Sequence, residues 1–498
     1  MNIKTRGARN VTDLSDQTPD LVPYLLPHER VIAVIHPKIE RPQVPPLALS
    51  ALMKLTNAST KDEVGEHGPP VAAVATEENR HIAELNLFET LFGRDSLIVS
   101  MFLLPQFPKL ARATVLALAK LQGIANRIAN EEEPGRILHE MRAPDSPIGK
   151  ELREKNGWEF PYYGSVDATA LFVNLTAAYV EQEGASLLSE TFTDREGKER
   201  TLLDAFDGAI GWIVRRLDAN PDGLLEFCRA HPGGIANQAW KDSGDSYFHK
   251  DGTLADHAHG IASIEVQGYT YDALRNAGAL YKQLNRPEAK IAELTLRAGR
   301  LQRTVLEKFW VDDELGGYFA LGTDRDKNGV LRKLEIRTSN MGHLLSSRLL
   351  DGNDPDVLRK RSAIVETLGS PLMQNVSGIR TLAKNERRFK PGSYHNGSVW
   401  LWDSYYISRG LRRHGFTALA DNLVLRMFSV VKKFNKFPEF ARGGDAPEPE
   451  LNERIVDVWD EIEGHTNRIE QPPQEIQAWT VAAVLAAEHE QRNRLNNG

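Results

Sequence analysis

The sequence predicts an all-α protein in which six helical hairpins surround one axis, with a short N-terminal arm and one minor β-hairpin. Three observations support this fold class. Apolar residues recur at helical spacing in segment after segment from Glu84 onward, six of these segments open with a polar cluster, and strand signals are few. Helices that follow one another without intervening strands exclude a doubly wound α/β sheet.

Residues 1–85 are the predicted N-terminal arm or cap, and residues 86–498 are the predicted barrel domain. The arm contains the proline-rich stretch PHERVIAVIHPKIERPQVPPLALS and one expected helix around Leu47 to Asn57. It is shorter than a typical independent domain, so we expect it to pack on the barrel. Its helix is a candidate partner for the last inner helix.

Ten segments of the barrel region carry apolar residues at the spacing of an amphipathic helix. They are residues 111–128, 166–180, 203–217, 264–284, 289–309, 341–350, 355–368, 398–411, 418–431 and 475–487. The β-hairpin is expected in GGYFALGTDRDKNGVLRKLEIR (residues 316–337), which has turn-forming residues in its middle.

Six polar clusters mark the beginnings of the helices that we expect to form an inner ring. They are GRDS (93–96), GSVDA (164–168), SIEVQGY (263–269), SNMGH (339–343), HNGSVW (395–400) and QEIQAW (474–479). Five of the six helices that open with a cluster are followed by a helix without one. This alternation is what inner and outer helices of a barrel would give. Any one cluster alone is explained as a helix cap. Six together predict a pocket at one end of the barrel, lined by helix N-termini that suit an oxygen-rich ligand.

Composition excludes several classes of partner and site. The chain has 498 residues, 26% of them charged, and a net charge of −7 without a long basic run. These values argue against nucleic acid or an anionic membrane as the main partner. One cysteine excludes an intrachain disulfide, and motifs for zinc, nucleotides or dinucleotides are absent from the sequence. We expect a cytoplasmic protein without a metal site, monomeric or homo-oligomeric.

The segment NQAWKDSGDSYFHKDG (237–252) is the first candidate for chemistry. It places Trp240 two residues before Asp242, and an aromatic ring beside a carboxyl is typical of a sugar-binding loop. A calcium loop is the alternative, since DSGDS is rich in oxygen ligands. The segment lacks the acidic spacing and terminal glutamate of the twelve-residue calcium loop, so we favour catalysis.

A second carboxyl is needed for hydrolysis of a glycoside. An inverting hydrolase uses two carboxyls separated by roughly 6.5–9.5 Å, one protonated and one ionised. Glu439 lies in FPEFARGGD, a loop just ahead of the sixth inner helix, and is the candidate base. Glu475 is the competitor, but an acid in the first turn of a helix is explained by the helix dipole.

Further polar and aromatic residues near the clusters are candidates for binding substrate. Arg94 and Asp95 could hold two sugar hydroxyls as a donor and an acceptor, although a local salt bridge also explains them. The other candidates are Asp167, Trp240, Lys241, Glu265, Gln267, His395 and Trp400, together with His139, Glu140, Arg142 and Arg337.

A set of these segments, in the same order, resembles a known family. The segments are FGRDSLIVSMFLLP, EEEPGRILHEMR, FPYYGSVDATALF, NQAWKDSGDS, EVQGYTYDA, SNMGHLL and YHNGSVWLWD. They are similar to the amylo-α-1,6-glucosidase part of glycogen-debranching enzymes and its bacterial relatives. That family belongs with the glucoamylase-like hydrolases, so the resemblance implies an (α/α)6 barrel.

The resemblance implies roles for individual residues. It makes Asp242 the general acid and Glu439, in a Pro-Glu pair before Gln477-Ala478-Trp479, the general base. It also implies that Arg94 and Asp95 grip the terminal glucose, and that no cofactor is needed. The expected activity is inverting hydrolysis of an α-glucosidic bond, with the pKa of Asp242 raised by burial.

The sequence departs from that family between Gly443 and Pro473, where it has a long acidic loop. Because such loops shape a pocket rim, a small α-glucoside or a short branched oligosaccharide is at least as good a candidate substrate as glycogen. Lys241 and Arg337 are compatible with an acidic aglycone such as a glycerate. Two other functions stay open: a sugar isomerase or epimerase that uses bases such as His249 or His395, and a carbohydrate-binding protein without activity.

Overall fold

The computed structural model describes residues 47–74, 88–314, 316–460 and 465–497. Its α-helices are α1 (Leu47–Leu55), α2 (Gly93–Leu103), α3 (Pro108–Lys120), α4 (Pro147–Asn156), α5 (Ala168–Glu183), α6 (Leu202–Ala219), α7 (Ile264–Gln283), α8 (Glu288–Lys308), α9 (Pro355–Gly369), α10 (Leu401–Arg413), α11 (Thr417–Phe434) and α12 (Ala478–Asn497). Short 3₁₀ helices span Lys61–Glu63, Ala185–Ser189, Ser339–Leu345 and Arg348–Leu350.

The strands are short. They are β1 (Ala73–Val74), β2 (Leu91–Phe92), β3 (Glu140–Met141), β4 (Thr191–Thr193), β5 (Glu199–Thr201), β6 (Ala262–Ser263), β7 (Trp310–Val311), β8 (Tyr318–Phe319), β9 (Gly322–Arg325), β10 (Leu331–Leu334), β11 (Gln374–Asn375), β12 (Gly378–Ile379), β13 (Val399–Trp400), β14 (Phe440–Ala441), β15 (Val456–Asp460), β16 (His465–Glu470) and β17 (Ile476–Gln477). Apart from the three-stranded sheet β10-β9-β6, they form antiparallel pairs.

An inner ring of helices confirms the predicted (α/α)6 barrel. In order around the ring, α2, α5, α7, the 3₁₀ helix Ser339–Leu345, α10 and α12 each contact the next, and α12 contacts α2. Outer helices α3, α6, α8, α9 and α11 each pack on the inner element that precedes or follows them. Helix α1 packs on α12 and completes the sixth hairpin.

Burial explains which helices lie inside. Helix α5 buries every residue from Ala168 to Thr176, since it has neighbours on all sides. Helix α8 instead buries Leu294, Ala298, Leu301 and Val305, one stripe at helical spacing, and exposes its charged face. None of the described helices has the length and apolar character of a membrane span.

The structure differs from the sequence prediction in several elements. The helix expected over residues 111–128 ends at Lys120, because Gly123 pairs with the backbone of Arg136 and Ile128 is 68% exposed. The segment 341–350 forms two 3₁₀ turns rather than an α-helix. Helix α4 was not predicted, because it buries only Gly149 and therefore shows no apolar stripe.

The predicted β-hairpin is confirmed as β9 and β10, joined by a turn around Asp326. A second hairpin, β15 paired with β16, lies in the segment that the sequence presented only as an acidic loop. The boundary at residue 85 stays a prediction, because residues 1–46 and 75–87 lie outside the described part of the chain.

Gly93 permits the close approach of α2 to the loop before β3, and its replacement is expected to destabilise the barrel. A β-carbon there would overlap the carbonyl oxygen of Leu138, while the Gly93 amide donates to His139 O (2.8 Å). Gly93→Ala should lower the free energy of unfolding by roughly 1–3 kcal/mol, because the backbone must shift.

The matched control is Gly278→Ala in α7, where a β-carbon meets no described atom within 4 Å. It should stabilise the protein by roughly 0.5–1 kcal/mol, since Gly is unfavourable within a helix. Thermal or denaturant unfolding of both variants measures the effect. Equal stabilities for the two would contradict the close packing at Gly93.

Candidate active site

A cavity of about 410 Å³ opens at the end of the barrel where the inner helices begin. It is lined by Phe88, Phe92, Arg94, Asp95, His139, Trp240, Asp242, Ser243, Tyr394, His395, Trp400, Glu439, Arg468, Ile469, Glu470, Gln471, Gln477 and Trp479. These residues come from the predicted clusters, from the segments at and just before β2 and β3, from the loops before α7 and α12, and from the β15–β16 hairpin. The size is that of a small-molecule site rather than of a groove for a polymer.

Hydrogen bonds within a loop and one short strand pair bring the two candidate catalytic carboxyls to this cavity. Asp242 lies in the loop between α6 and β6, where Ser246 Oγ donates to Lys241 O and Asn237 Nδ2 donates to Ser243 O (2.7 Å). Glu439 directly precedes β14, which pairs with β13 of the HNGSVW cluster. The Glu439 amide also donates to Gln474 O (2.9 Å), which ties it to the segment before α12.

Asp242 is held by Arg94, whose Nη1 donates to Asp242 Oδ2 at 3.3 Å. Burial raises the pKa of Asp242 to about 6, against the lowering effect of the Arg94 charge. The side chain is 30% exposed, so it faces the cavity rather than being enclosed. A carboxyl with such a pKa is partly protonated near neutral pH, as a general acid requires.

Glu439 is held by different groups. Tyr394 Oη donates to Glu439 Oε1 (2.5 Å), and the Gln474 amide donates to Oε2 (3.3 Å). Burial raises the pKa of Glu439 to about 7, while these two hydrogen bonds favour the ionised form. Because Asp242 and Glu439 interact, the two apparent pKa values belong to the pair.

Asp95 and His139 add two further polar groups to the wall. Burial raises the pKa of Asp95 to about 8, against the lowering effect of the Arg94 charge. This favours the protonated form of the carboxyl, which can donate a hydrogen bond to a sugar oxygen. Burial lowers the pKa of His139 well below its usual value, and the neighbouring Arg94 adds to this. His139 is therefore neutral.

Aromatic rings form the apolar wall of the cavity. Trp240 packs edge-on against Trp400 with ring centroids 5.8 Å apart, and Trp400 lies 5.7 Å from Trp479. His395 stacks on Trp400 at 5.3 Å, and its Nδ1 is 2.6 Å from Ser243 Oγ. Such rings suit the apolar face of a pyranose.

Several predicted site residues lie behind the wall. Lys241 Nζ donates to the carbonyl of Thr381, Glu265 accepts from Ser263, and Gln267 Nε2 donates to Leu225 O (2.9 Å). Asp167 is fully buried and contacts Arg94 rather than the cavity. Arg337 pairs with Asp313 and lies away from the lining residues. The structure therefore brings together at the cavity Asp242, Glu439, Arg94, Asp95, His139, Trp240, His395 and Trp400.

Tyr394 and the hairpin residues Arg468–Gln471 were missed by the sequence analysis. Tyr394 directly precedes the HNGSVW cluster, and this adjacency was the available signal. The hairpin residues were missed because the sequence analysis treated residues 443–473 only as a long acidic loop. The described residues contain no cluster of His, Cys, Asp and Glu suited to a metal ion.

The model of the mannosylglycerate hydrolase MGH1-like glycoside hydrolase domain matches residues 175–441. This match spans more than half of the chain and includes both Asp242 and Glu439. The chain belongs to this family. The match does not specifically support the debranching enzymes that the sequence resembles. What it supports of that resemblance is the broader class of glycoside hydrolase domains, and the structure supports the fold.

A curated relative within this class is mannosylglycerate hydrolase MGH1 of Selaginella moellendorffii, which is 33% identical over 73 residues. That alignment spans 15% of this chain and 15% of the relative.

Solved structures support the fold. The GH63 mannosylglycerate hydrolase from Thermus thermophilus in complex with Tris matches with a TM-score of 0.56 at 13% identity, covering 90% of this chain and 100% of that one. Its complex with Tris and D-glycerate gives a TM-score of 0.54 at 13% identity, covering 89% and 100%. At this identity the likeness shows the (α/α)6 barrel alone.

Tyr394→Phe is expected to raise one apparent pKa of the pH–activity profile of this MGH1-like chain. The Tyr394 hydrogen bond favours ionised Glu439, so its loss makes the candidate base Glu439 harder to ionise. The shift should be about one pH unit, with kcat/KM lowered roughly tenfold near pH 6.

Tyr247→Phe is the control, since Tyr247 is also fully buried but donates to Ser263 Oγ (2.9 Å) outside the cavity lining. Its profile should match the wild type. A Tyr394→Phe profile that also matches the wild type would show that Tyr394 does not tune Glu439.

Proposed function

We propose that this chain is an inverting glycoside hydrolase that cleaves the α-glucosidic bond of a small glycoside. Asp242 is the general acid and Glu439 is the general base. Arg94, Asp95, Trp240, His395 and Trp400 contact the sugar. The aglycone that we propose is a small acid of the glycerate type.

One observation carries this proposal: two partly protonatable carboxyls from distant parts of the chain line one cavity and are held by different partners. Asp242 contacts Arg94, whereas Glu439 contacts Tyr394 and the amide of Gln474. No hydrogen bond joins the two carboxyls in the described part of the chain, so they are not in direct contact. The inversion that we propose needs room between them for the substrate and a water molecule.

The mechanism follows from these positions. Asp242 donates its proton to the glycosidic oxygen as the bond to the anomeric carbon breaks, and the aglycone leaves as an alcohol. Glu439 takes a proton from a water molecule, whose oxygen attacks the anomeric carbon from the opposite face. The released sugar therefore has the inverted configuration. The step leaves Asp242 ionised and Glu439 protonated, and a proton must then return from Glu439 to Asp242 through solvent before the next turnover.

The β15–β16 hairpin supports a small substrate. Its end places Arg468, Ile469, Glu470 and Gln471 in the cavity wall. Arg442 Nη1 holds Glu470 Oε2 at 2.7 Å, and Asn452 Nδ2 donates to Gln471 O (3.0 Å). A wall fixed in this way leaves little room for a branched polymer.

The names of the family and of the matching proteins, together with a positive charge in the cavity wall, support an acidic aglycone. The family description and the relative from Selaginella both name mannosylglycerate hydrolases, and one matching structure holds D-glycerate. Arg468, which also pairs with Asp457 at 3.2 Å, contributes a cation to the cavity wall. Membership of a glycoside hydrolase family also favours hydrolysis over isomerisation, and the presence of both carboxyls favours an active enzyme over a binding protein.

The test is a substrate screen with the purified chain and no added metal. The panel contains glucosylglycerate, mannosylglycerate, isomaltose, sucrose and glycogen, with release of free sugar as the readout. We expect fast cleavage of glucosylglycerate and slow or no cleavage of isomaltose and glycogen. A preference for mannosylglycerate would show that the sugar is mannose rather than glucose. A preference for glycogen would contradict the proposal of a small substrate.

Failure to release sugar from any of these compounds would contradict hydrolysis. Interconversion of free glucose or mannose with a ketose or epimer would then favour the isomerase. Binding of the panel without turnover would favour the carbohydrate-binding protein.

A further inference from the structure

A buried row of polar groups leads from the barrel interior to the candidate acid. Ser165 Oγ donates to Asp167 Oδ1 (2.7 Å), and Arg94 Nε donates to Asp167 Oδ2 (2.7 Å). The same guanidinium reaches Asp242 through Nη1 at 3.3 Å. Arg94 is 3% exposed and Asp167 is fully buried, so solvent screens this row very little.

Arg94 poses a problem for a general acid. A cation beside Asp242 stabilises its carboxylate, and an opposite charge within contact distance typically lowers the pKa of a carboxyl by about 1–3 units. Without an opposing charge, Arg94 would favour the ionised form of Asp242, although a general acid must carry a proton. Asp167 lies on the other edge of the guanidinium, with the shorter of the two contacts.

We propose that Asp167 is a positioning residue that holds Arg94 and cancels most of its charge, so that Arg94 orients Asp242 without deprotonating it. This role rests on the proposed function of Asp242 as general acid. It differs from the substrate-binding role expected for Asp167, because the side chain faces Arg94 instead of the cavity.

The other charged or titratable groups around Asp242 do not replace Asp167. They are Asp95 from α2, His139, Glu140 and Arg142 at β3, Lys241 in the same loop, Tyr394 and His395 before β13, and Glu439 before β14. Burial lowers the pKa of both histidines well below its usual value, so they carry no charge. Glu140 is paired with Arg142 at 2.8 Å.

Within the described residues, the side chains bonded to the Arg94 guanidinium are those of Asp167 and Asp242. Asp167 also acts directly, since its negative charge disfavours ionisation of Asp242. Both effects have the same sign: removing the Asp167 charge should lower the pKa of Asp242.

Asp167→Asn tests the proposal with little change of shape, because the amide oxygen can still accept from Arg94 Nε. The pH dependence of kcat/KM is measured on the panel compound that the wild type cleaves best. One of the two apparent pKa values should fall by about one unit or more, with the other unchanged. Titration of the ¹³C carboxyl signal that is missing in Asp242→Asn should show the same fall directly.

The control is Asp403→Asn, which removes a carboxyl that is also fully buried, in α10, but is bonded to His343 (2.6 Å). It should move neither apparent pKa, even where it lowers thermal stability. An Asp167→Asn variant that loses kcat or stability with an unmoved profile and an unmoved carboxyl titration would show a merely structural role and overturn the proposal.

The experiments distinguish an error in the proposed role of Asp242 from an error in the proposed role of Asp167. If Asp242→Asn keeps wild-type turnover, the assignment of the general acid is wrong. If Asp242→Asn is inactive and Asp167→Asn leaves the Asp242 titration in place, only the role of Asp167 is wrong.

Discussion

Asp242→Asn and Glu439→Gln are each expected to lower kcat on the best substrate by a factor of at least about 10³, near the upper range for a general acid or base. Each replacement keeps the size of the side chain and removes its ability to exchange a proton. Asn at 242 can still contact Arg94, and Gln at 439 can still accept from Tyr394, so the cavity should persist. Circular dichroism and thermal unfolding check the fold.

An α-glucosyl fluoride separates the two roles. Fluoride leaves without protonation, so Asp242→Asn should recover much of its turnover on this substrate, whereas Glu439→Gln should stay inactive. Asp324→Asn is the control, since Asp324 is a fully buried carboxyl in β9 that pairs with His249 (2.9 Å) outside the cavity lining. Near-normal turnover of every compound by both catalytic variants would refute the assignment.

Arg94→Met is expected to reduce both activity and stability. It leaves two neighbouring carboxyls, Asp167 and Asp242, without their cation. Removing one partner of a buried ion pair typically costs about 3–5 kcal/mol, because a charge is left buried and uncompensated. We also expect kcat/KM to fall at least about 10²-fold, since Asp242 loses the group that orients it.

The loss of stability in Arg94→Met is expected to depend on pH in a defined direction. Without Arg94 the pKa of Asp242 rises above its present value of about 6, opposite to the shift expected for Asp167→Asn. Protonation then neutralises Asp242 at low pH, so the loss of stability should be smaller at pH 5 than at pH 8. Unfolding measured at both pH values tests this. An equal loss of stability at pH 5 and pH 8, together with an unchanged pH–activity profile, would contradict the ion pair between Arg94 and Asp242.

The barrel could be predicted because its signal is distributed over the whole chain. Inner helices such as α5 are apolar all round and open with polar clusters, whereas outer helices such as α8 bury one stripe. The misplaced elements are those where tertiary contacts override local pattern. The apolar residues after Lys120 continue a helical spacing, but Gly123 pairs with the backbone of Arg136 instead.

The candidate site was predicted where a residue type stands out within a motif, as with Asp242 after Trp240 and Glu439 after Pro438. The sequence could not show which neighbours point inward. Lys241 lies beside Asp242 in the chain, yet its ammonium group turns to the carbonyl of Thr381. Tyr394 holds Glu439 across 45 residues, a pairing that depends on β13 lying beside β14.

Proton NMR of the sugar at the first moments of hydrolysis tests the central claim most directly. If Asp242 and Glu439 act across a water molecule, an α-glycoside must release the β-anomer first, and the α-anomer must grow in only by mutarotation. Initial release of the α-anomer would instead require a covalent glycosyl-enzyme intermediate, and it would contradict the roles assigned to these two carboxyls.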